Sequence, residues 1–195
     1  GNVRKNALSD FTNVKANGKI AMKLPENTTL VGAQICRSDN DVLLTTAKGK
    51  AIRFNIDDVR IFKGRDSVGV KGITLKKDDT VISMAILKHV EVSTEERLAY
   101  FKMRRAITGE DNGIENNEDS TLVLNQERYV ELGALEEWIL TITSQGFGKR
   151  SSAHEYRRSG RGGQGITSAN LERRQDGIIA SFTVEDDDQI MLVTS

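Results

Sequence analysis

Apolar residues along this chain gather into short runs of Val, Ile, Leu and Thr, cut off by Gly, Asn and Asp, and the runs recur. DVLLTTAKG (41–49), WILTITSQG (138–146) and QIMLVTS (189–195) share an apolar stretch, a Thr pair or near-pair and a small polar turn. A glycine-led basic stretch follows the turn: GNVRK (1–5), GKAIRF (49–54) and GFGKR (146–150). A third set is GKIAMKL (18–24), GVKGITL (69–75) and GITSANL (165–171), and a fourth is TLVGAQI (29–35), TVISMAI (80–86) and IIASFTV (178–184). Each unit of about fifty residues thus supplies four strand-like segments separated by turn formers, which predicts blades of a propeller-like array. One four-stranded sheet cannot cover both its faces, so the blades must stack.

The pattern places repeat 1 at 1–48, repeat 2 at 49–145 and repeat 3 at 146–195, the last incomplete at its end. Repeat 2 is overlong because of an insertion at 88–137. Within it VSTEERLAYFKMRRAI (92–107) reads as a helix, with Thr94 placed to cap it and Glu95, Glu96, Arg104 and Arg105 suiting the helix dipole. Leu98, Phe101 and Ile107 would form its buried stripe. TGEDNGIENNEDST (108–121) has turn formers, acids and one apolar residue, and reads as a loop. Trp138 begins the strand that resumes the blade, as a core or rim anchor. Three repeats are few for a closed ring, and the chain opens on GNVRKN without methionine, so the expectation is a piece of a longer protein.

Composition adds little until it is mapped. The 195 residues carry 28 basic and 28 acidic side chains. Residues 88–137 hold six Lys/Arg against twelve Asp/Glu, while the remainder holds 22 against 16, so a basic body is interrupted by an acidic insertion. No apolar run approaches the roughly 18 residues that span a bilayer, which excludes a helical membrane protein. One cysteine, Cys36, excludes an internal disulfide; it fits a core position and a reducing, cytoplasmic compartment. The formal sequon at Asn27 has no secretory context.

Superposing the repeats brings basic residues into register. Lys5, Arg53 and Arg150 each lie four residues after the turn glycine, and Arg4 and Lys149 precede two of them. A second set lies just before the third-segment glycine: Lys15, then Lys63 and Arg65, then Arg157, Arg158 and Arg161. Two such rows would draw a curved positive stripe around one edge of the blades, suited to the phosphates of a duplex and to binding through counterion release. Gly162, Gly163 and Gly165 beside the arginines would let backbone N–H groups approach phosphate. There is no recognition helix, zinc spacing or set of interleaved aromatics, so the partner expected is duplex DNA held by its backbone and shape. Gly160-Arg-Gly-Gly-Gln-Gly165 also fits G-x-G-x-x-G, but it follows SSAHEYRR and precedes a β-like segment, which is the wrong setting for a dinucleotide turn.

With GNVRKNALSDF, NGKIAMKL, AKGKAIRF, GVKGITL, SQGFGKRSSAHEY and DDDQIMLVTS in place, the chain resembles the C-terminal domain of DNA gyrase A over nearly all but the insertion. The resemblance implies an all-β pinwheel whose blades of four strands exchange strands. It implies a basic rim that bends and wraps duplex DNA for ATP-driven negative supercoiling, and assembly with the rest of gyrase A and with gyrase B as A2B2. ATP and Mg2+ would act elsewhere in that complex, with no cofactor, metal or catalytic residue here. The related domain of topoisomerase IV is the close alternative. The family's glycine–arginine box is not present as such; SGRGGQG (159–165) echoes it with Gln164 at the box lysine.

The rival from another class is a protein-interaction propeller without DNA wrapping. An independent enzyme finds little support in two histidines, one cysteine and no ligand-spaced cluster. His154 reads as structural, with phosphate contact the alternative. Tyr156 reads as a rim or packing residue, and Glu185–Asp188 as a solvated turn like Ser38–Asp41. The insertion either docks on a neighbouring domain, competes with DNA, or is a surface excursion.

Overall fold

The computed structural model describes residues 1–64, 66–109, 121–171 and 176–193. Arg65, most of the acidic stretch 108–121 and the last two residues of the third apolar run lie outside the described residues. The strands are β1 (Asn2–Val3), β2 (Asn40–Thr46), β3 (Lys50–Asn55), β4 (Val70–Lys71), β5 (Val81–Lys88), β6 (Trp138–Thr143), β7 (Gly148–Ser152), β8 (Ile166–Thr167) and β9 (Ile178–Val184), and the helices are α1 (Thr94–Thr108) and α2 (Gln126–Ala134). They form three antiparallel sheets, ordered β1-β4, β5-β2-β3-β8 and β7-β6-β9.

The sheets do not coincide with the sequence repeats. β4, from the second repeat, pairs with β1 of the first (Asn2 opposite Lys71, Val3 opposite Val70). β8, from the third, pairs with β3 of the second in the equivalent register (Lys50 opposite Thr167, Ala51 opposite Ile166). Repeats 2 and 3 each hand their third segment to the sheet before, as a pinwheel requires. The join is tight: Gly69 and Gly165 have φ +84° and +71°, and a Cβ on either would fall on the carbonyl oxygen of Val3 or Ala51. The same β-bulge recurs beside the turn of β2 and of β6, at Thr45/Thr46 and Ile142/Thr143.

Unbroken apolar runs and two-sided burial go together. In β2 every residue from Asp41 to Thr46 is buried. Val42 and Leu44 pack with Ile52, Phe54, Ile56, Val59 and Ile73 on the side of the first sheet, with half-buried Cys36 against them. Leu43 packs on the other side with Ala51, Leu87, Ile139, Ala153 and Tyr156, under the third sheet. The middle sheet is thus the filling of a stack, which is why its runs do not alternate.

Segments 18–24 and 29–35 depart from the expected strands: they are irregular and exposed, Ile20 at 69% and Ile35 at 78%. The sister segments are extended only where a neighbouring edge supplies a ladder, and among the described residues these two have none. Residues 189–193 are irregular for the same reason.

The insertion folds as two helices with a core of Val90, Ala99, Tyr100, Phe101, Leu124 and Leu132. Ser93, not Thr94, caps α1, through a reciprocal capping box with Glu96. Phe101 is buried as expected, but Ile107 is 63% exposed and the stripe runs through Ala99 and Tyr100, because the face is fixed by packing on α2. α2 itself was not expected; Asn125 caps it by accepting from the Arg128 amide.

Gly165→Ala and Gly69→Ala should each cost about 1–3 kcal/mol in urea denaturation, whereas Gly160→Ala, which opens onto free space, should be near neutral.

Candidate nucleic-acid interface

In the first two repeats the first basic row turns inward. Lys5 Nζ donates to the Ile56 carbonyl at 3.0 Å and to Asp57 Oδ1 at 2.9 Å. Arg53 is buried, with Nε on Asp41 Oδ2 at 2.9 Å, Nη1 on the Ala153 carbonyl at 2.9 Å and Nη2 on the Lys88 carbonyl at 3.0 Å. Arg53 is therefore not a rim contact; its charge is used up by a buried carboxylate and two carbonyls. Arg4 is half-buried, bonded to Ser67 O (2.7 Å) and Asn6 Oδ1 (2.8 Å), with its guanidinium 4.9 Å from the Phe62 ring centre. Lys149 and Arg150 stay accessible: Lys149 lies 3.6 Å from Glu155, and Arg150 pairs with Asp186 at 2.6 Å while stacking 4.2 Å from the Trp138 ring centre.

The second row turns outward. Lys15, Lys63, Arg157, Arg158 and Arg161 are exposed. Arg158 continues from the parallel bridge to Arg53, and its Nη1 lies 3.1 and 3.3 Å from the two His89 ring nitrogens. Arg161 donates to the carbonyls of Asp58 (2.8 Å) and Lys71 (3.0 Å), leaving its outer face to solvent.

The glycines of this loop serve the protein first. Gly162 N–H donates to Gly72 O at 2.6 Å, Thr74 N–H to Gly163 O at 2.8 Å, and Thr74 Oγ1 to Gly162 O at 2.6 Å. The arginine loop is thereby sewn onto the second repeat's donated segment. The Gly162 N–H is thus committed to backbone. Sewing also gathers two exposed cations that register reasoning missed: Arg60, over the Phe62 ring at 4.5 Å, and Lys71. Arg60 stands four residues after Ile56, as Arg157 does after Ala153, so counting from the short 3-10 turn would have found it.

The neighbouring polar groups are structural. His154 is buried, donates from Nε2 to Leu132 O at 2.9 Å and meets Tyr100 edge-on at 5.5 Å. Burial holds its pKa below the ordinary imidazole value, with Arg53 adding to the shift and the Leu132 bond, Glu136 and Glu137 opposing it. Burial likewise pushes the Tyr156 phenol up to about 12. At 185–188 the chain forms a turn closed by Asp188 Oδ2 on the Glu185 amide, matching Asn40 Oδ1 on the Arg37 amide. Among the described residues no group of three His, Cys, Asp or Glu is placed to hold a metal, and no helix is long and apolar enough to cross a membrane.

A family model described as the DNA gyrase C-terminal domain, β-propeller, matches residues 1–37, 40–88 and 137–193. The chain belongs to the DNA gyrase C-terminal domain family. Only the insertion and two turn residues between the first and second matched stretches are left out before residue 193. DNA gyrase A of Granulibacter bethesdensis is 46% identical over 210 residues, and that of Rickettsia prowazekii 40% identical over 200; each match covers 100% of this chain and 22% of the relative. The chain thus spans about a fifth of the length of these relatives. A solved C-terminal domain of DNA topoisomerase IV superposes with a TM-score of 0.64 over 95% of this chain and 44% of that one, at 19% identity, a likeness of fold. The sequence relatives are gyrase A proteins, so of the two related domains the gyrase one is the match.

Two outcomes check this family member's internal polar network. Arg53→Met, which leaves buried Asp41 with His89 Nδ1 at 3.1 Å in place of the guanidinium, should cost about 3–5 kcal/mol in denaturant unfolding. For His154, the unfolded imidazole takes up its proton near pH 6.5 and the folded one only at lower pH, so stability should be full above about 6.5 and fall below it. Acid melting curves of His154→Gln should be flatter over that window.

Proposed function

We propose that this chain holds duplex DNA by its sugar–phosphate backbone, without reading sequence, and bends it around the outer loops of the blades. The observation that carries this is the loop 157–165, sewn to the second repeat and presenting Arg157, Arg158 and Arg161 beside Arg60 and Lys71. Backbone binding needs cations held at fixed spacing on a stiff support, and the sewn loop meets that need better than a free one. Lys15 and Lys63 on loops and Lys149 and Arg150 on β7 extend the set, to which the sequence register adds Arg65, and Gly162, Gly163 and Gly165 shape the loop that carries its centre. The DNA-facing set excludes Arg53, whose donors are committed inside the protein.

In this reading the chain is a non-catalytic part of a gyrase A protein. It presents DNA to an ATP-dependent strand-passage machine assembled with gyrase B as A2B2 in the bacterial cytoplasm, where the product is negative supercoiling. The relatives named as gyrase A support that setting. ATP, Mg2+ and the cleaving residues belong to other parts of the complex. In this reading the repeats 1–48, 49–145 and 146–195 follow one another along the duplex, with strands shared between neighbouring sheets.

Anisotropy titration of a labelled duplex across salt concentrations tests the reading. Unrelated sequences should bind alike, with a steep negative log–log slope. The Arg157/Arg158/Arg161→Ala variant should lose about 0.9 of slope per phosphate contact removed, about 2–3 in all. A shallow slope unchanged in the variant would favour a protein partner for these loops.

A further inference from the structure

The inward-turned row has a regularity of its own. Lys5 Nζ reaches the carbonyl of Ile56, and Arg53 Nη1 reaches that of Ala153. Ile56 and Ala153 are the first residues of equivalent 3-10 turns, Ile56–Asp58 and Ala153–Glu155, each in the next repeat along the chain. Around each contact the backbone is joined alike. Lys5 bridges Ile61 and Arg53 bridges Arg158, both in parallel. The Phe62 amide donates to Lys5 O at 2.9 Å, and the Ser159 amide to Arg53 O at 2.8 Å. One cation in each of the first two repeats thus grips the turn of the next, at the root of the loop that carries the outward cations: Arg60 and Lys63 follow the first turn, Arg157, Arg158 and Arg161 the second.

We propose that Lys5 and Arg53 are positioning residues that fix the angle between successive blades, and so the curvature imposed on the duplex, without touching DNA. A backbone carbonyl at the start of a tight turn is a rigid acceptor, and an ammonium or guanidinium donor makes a stronger bond to it than a neutral group would. Each contact adds a directional bond at a junction otherwise made of non-directional apolar packing and a two-residue exchanged strand. Removing it leaves the junction free to rock, and a rocking blade presents its cations on a shifting arc. For its DNA part this inference rests on the backbone-binding reading above. Its protein part does not.

The test uses Lys5→Met, which keeps the aliphatic stem and removes the donor, with Lys5→Arg as the conservative variant. Arg53→Met paired with Asp41→Asn repeats the experiment at the second junction without leaving a lone buried carboxylate. Without DNA, amide exchange of Val59 and Phe62 should rise at least tenfold in Lys5→Met, as should that of Tyr156 and Ser159 in the Arg53/Asp41 pair. Neither set should change in Arg157→Ala. With an end-labelled duplex, affinity and salt slope should stay within twofold of the parent in Lys5→Met, while the bend read by energy transfer falls by half or more; Lys5→Arg should restore it. Unchanged exchange overturns the inference whether or not the parent binds DNA. A weaker affinity with a slope reduced by about 0.9 and an unaltered bend overturns it too, since Lys5 would then be a phosphate contact. Failure of the parent chain to bind or bend any duplex would instead remove the functional reading, and the exchange data would still decide the clamp.

Discussion

Strands β4 and β8 are two residues long, too short to persist unless another repeat supplies their edge. Their ladders to β1 and β3, with flanking bonds such as Gly72 N–H to Gly1 O and Ser168 N–H to Gly49 O, are what bind repeat to repeat. Each bond contributes only about 0.5–1.5 kcal/mol net, so a join of this kind works by adding several bonds that fail together. Close approach is their condition, and glycine at the entry of each donated segment is what permits it. The two-sided burial of β2, the apolar layers on either side and the placing of the arginine loop all follow from that joinery.

The cations divide by where the joinery puts them. Lys5 and Arg53, on the strand after the turn, are satisfied by carbonyls and carboxylates of the next repeat's turn and of the sheet, whereas Lys149 and Arg150 stay at the surface. Those on the loop before the donated segment fall outside and remain hydrated. A charge buried without a partner is prohibitive, so buried Arg53 takes three acceptors, while half-buried Arg4 bonds through Nε and Nη1 and leaves Nη2 without a hydrogen bond. Hydrated cations carry no such demand, which is what leaves them available to an anionic partner.

The sequence revealed the period, the strand-like segments and the register of the basic residues, because all three are properties of spacing. It did not reveal that register has two meanings. Lys5, Arg53 and Arg150 repeat as faithfully as the outer row, yet Arg53 is inside the stack and Arg150 lies open against Trp138. Spacing along a chain gives which positions are equivalent, while burial depends on which sheet lies opposite. The same gap explains segments 18–24 and 29–35, whose composition is that of strands but which meet no neighbouring edge among the described residues. Helix α2 escaped notice because its nine residues bury only Leu132 fully, too little for a periodic signal. The Ser93 cap was legible in principle, since Ser93 and Glu96 have the capping-box spacing.

Trp138 is the chain's only tryptophan. Its ring lies within 4.5 Å, centre to guanidinium, of Arg104 on helix α1 and of Arg150 on β7. Indole emission responds to charge and to water at this range, and here one of the two neighbours belongs to the insertion and the other to a blade. The molecule therefore contains an optical gauge, needing no added dye, of whether the acidic insertion stays seated on the third sheet.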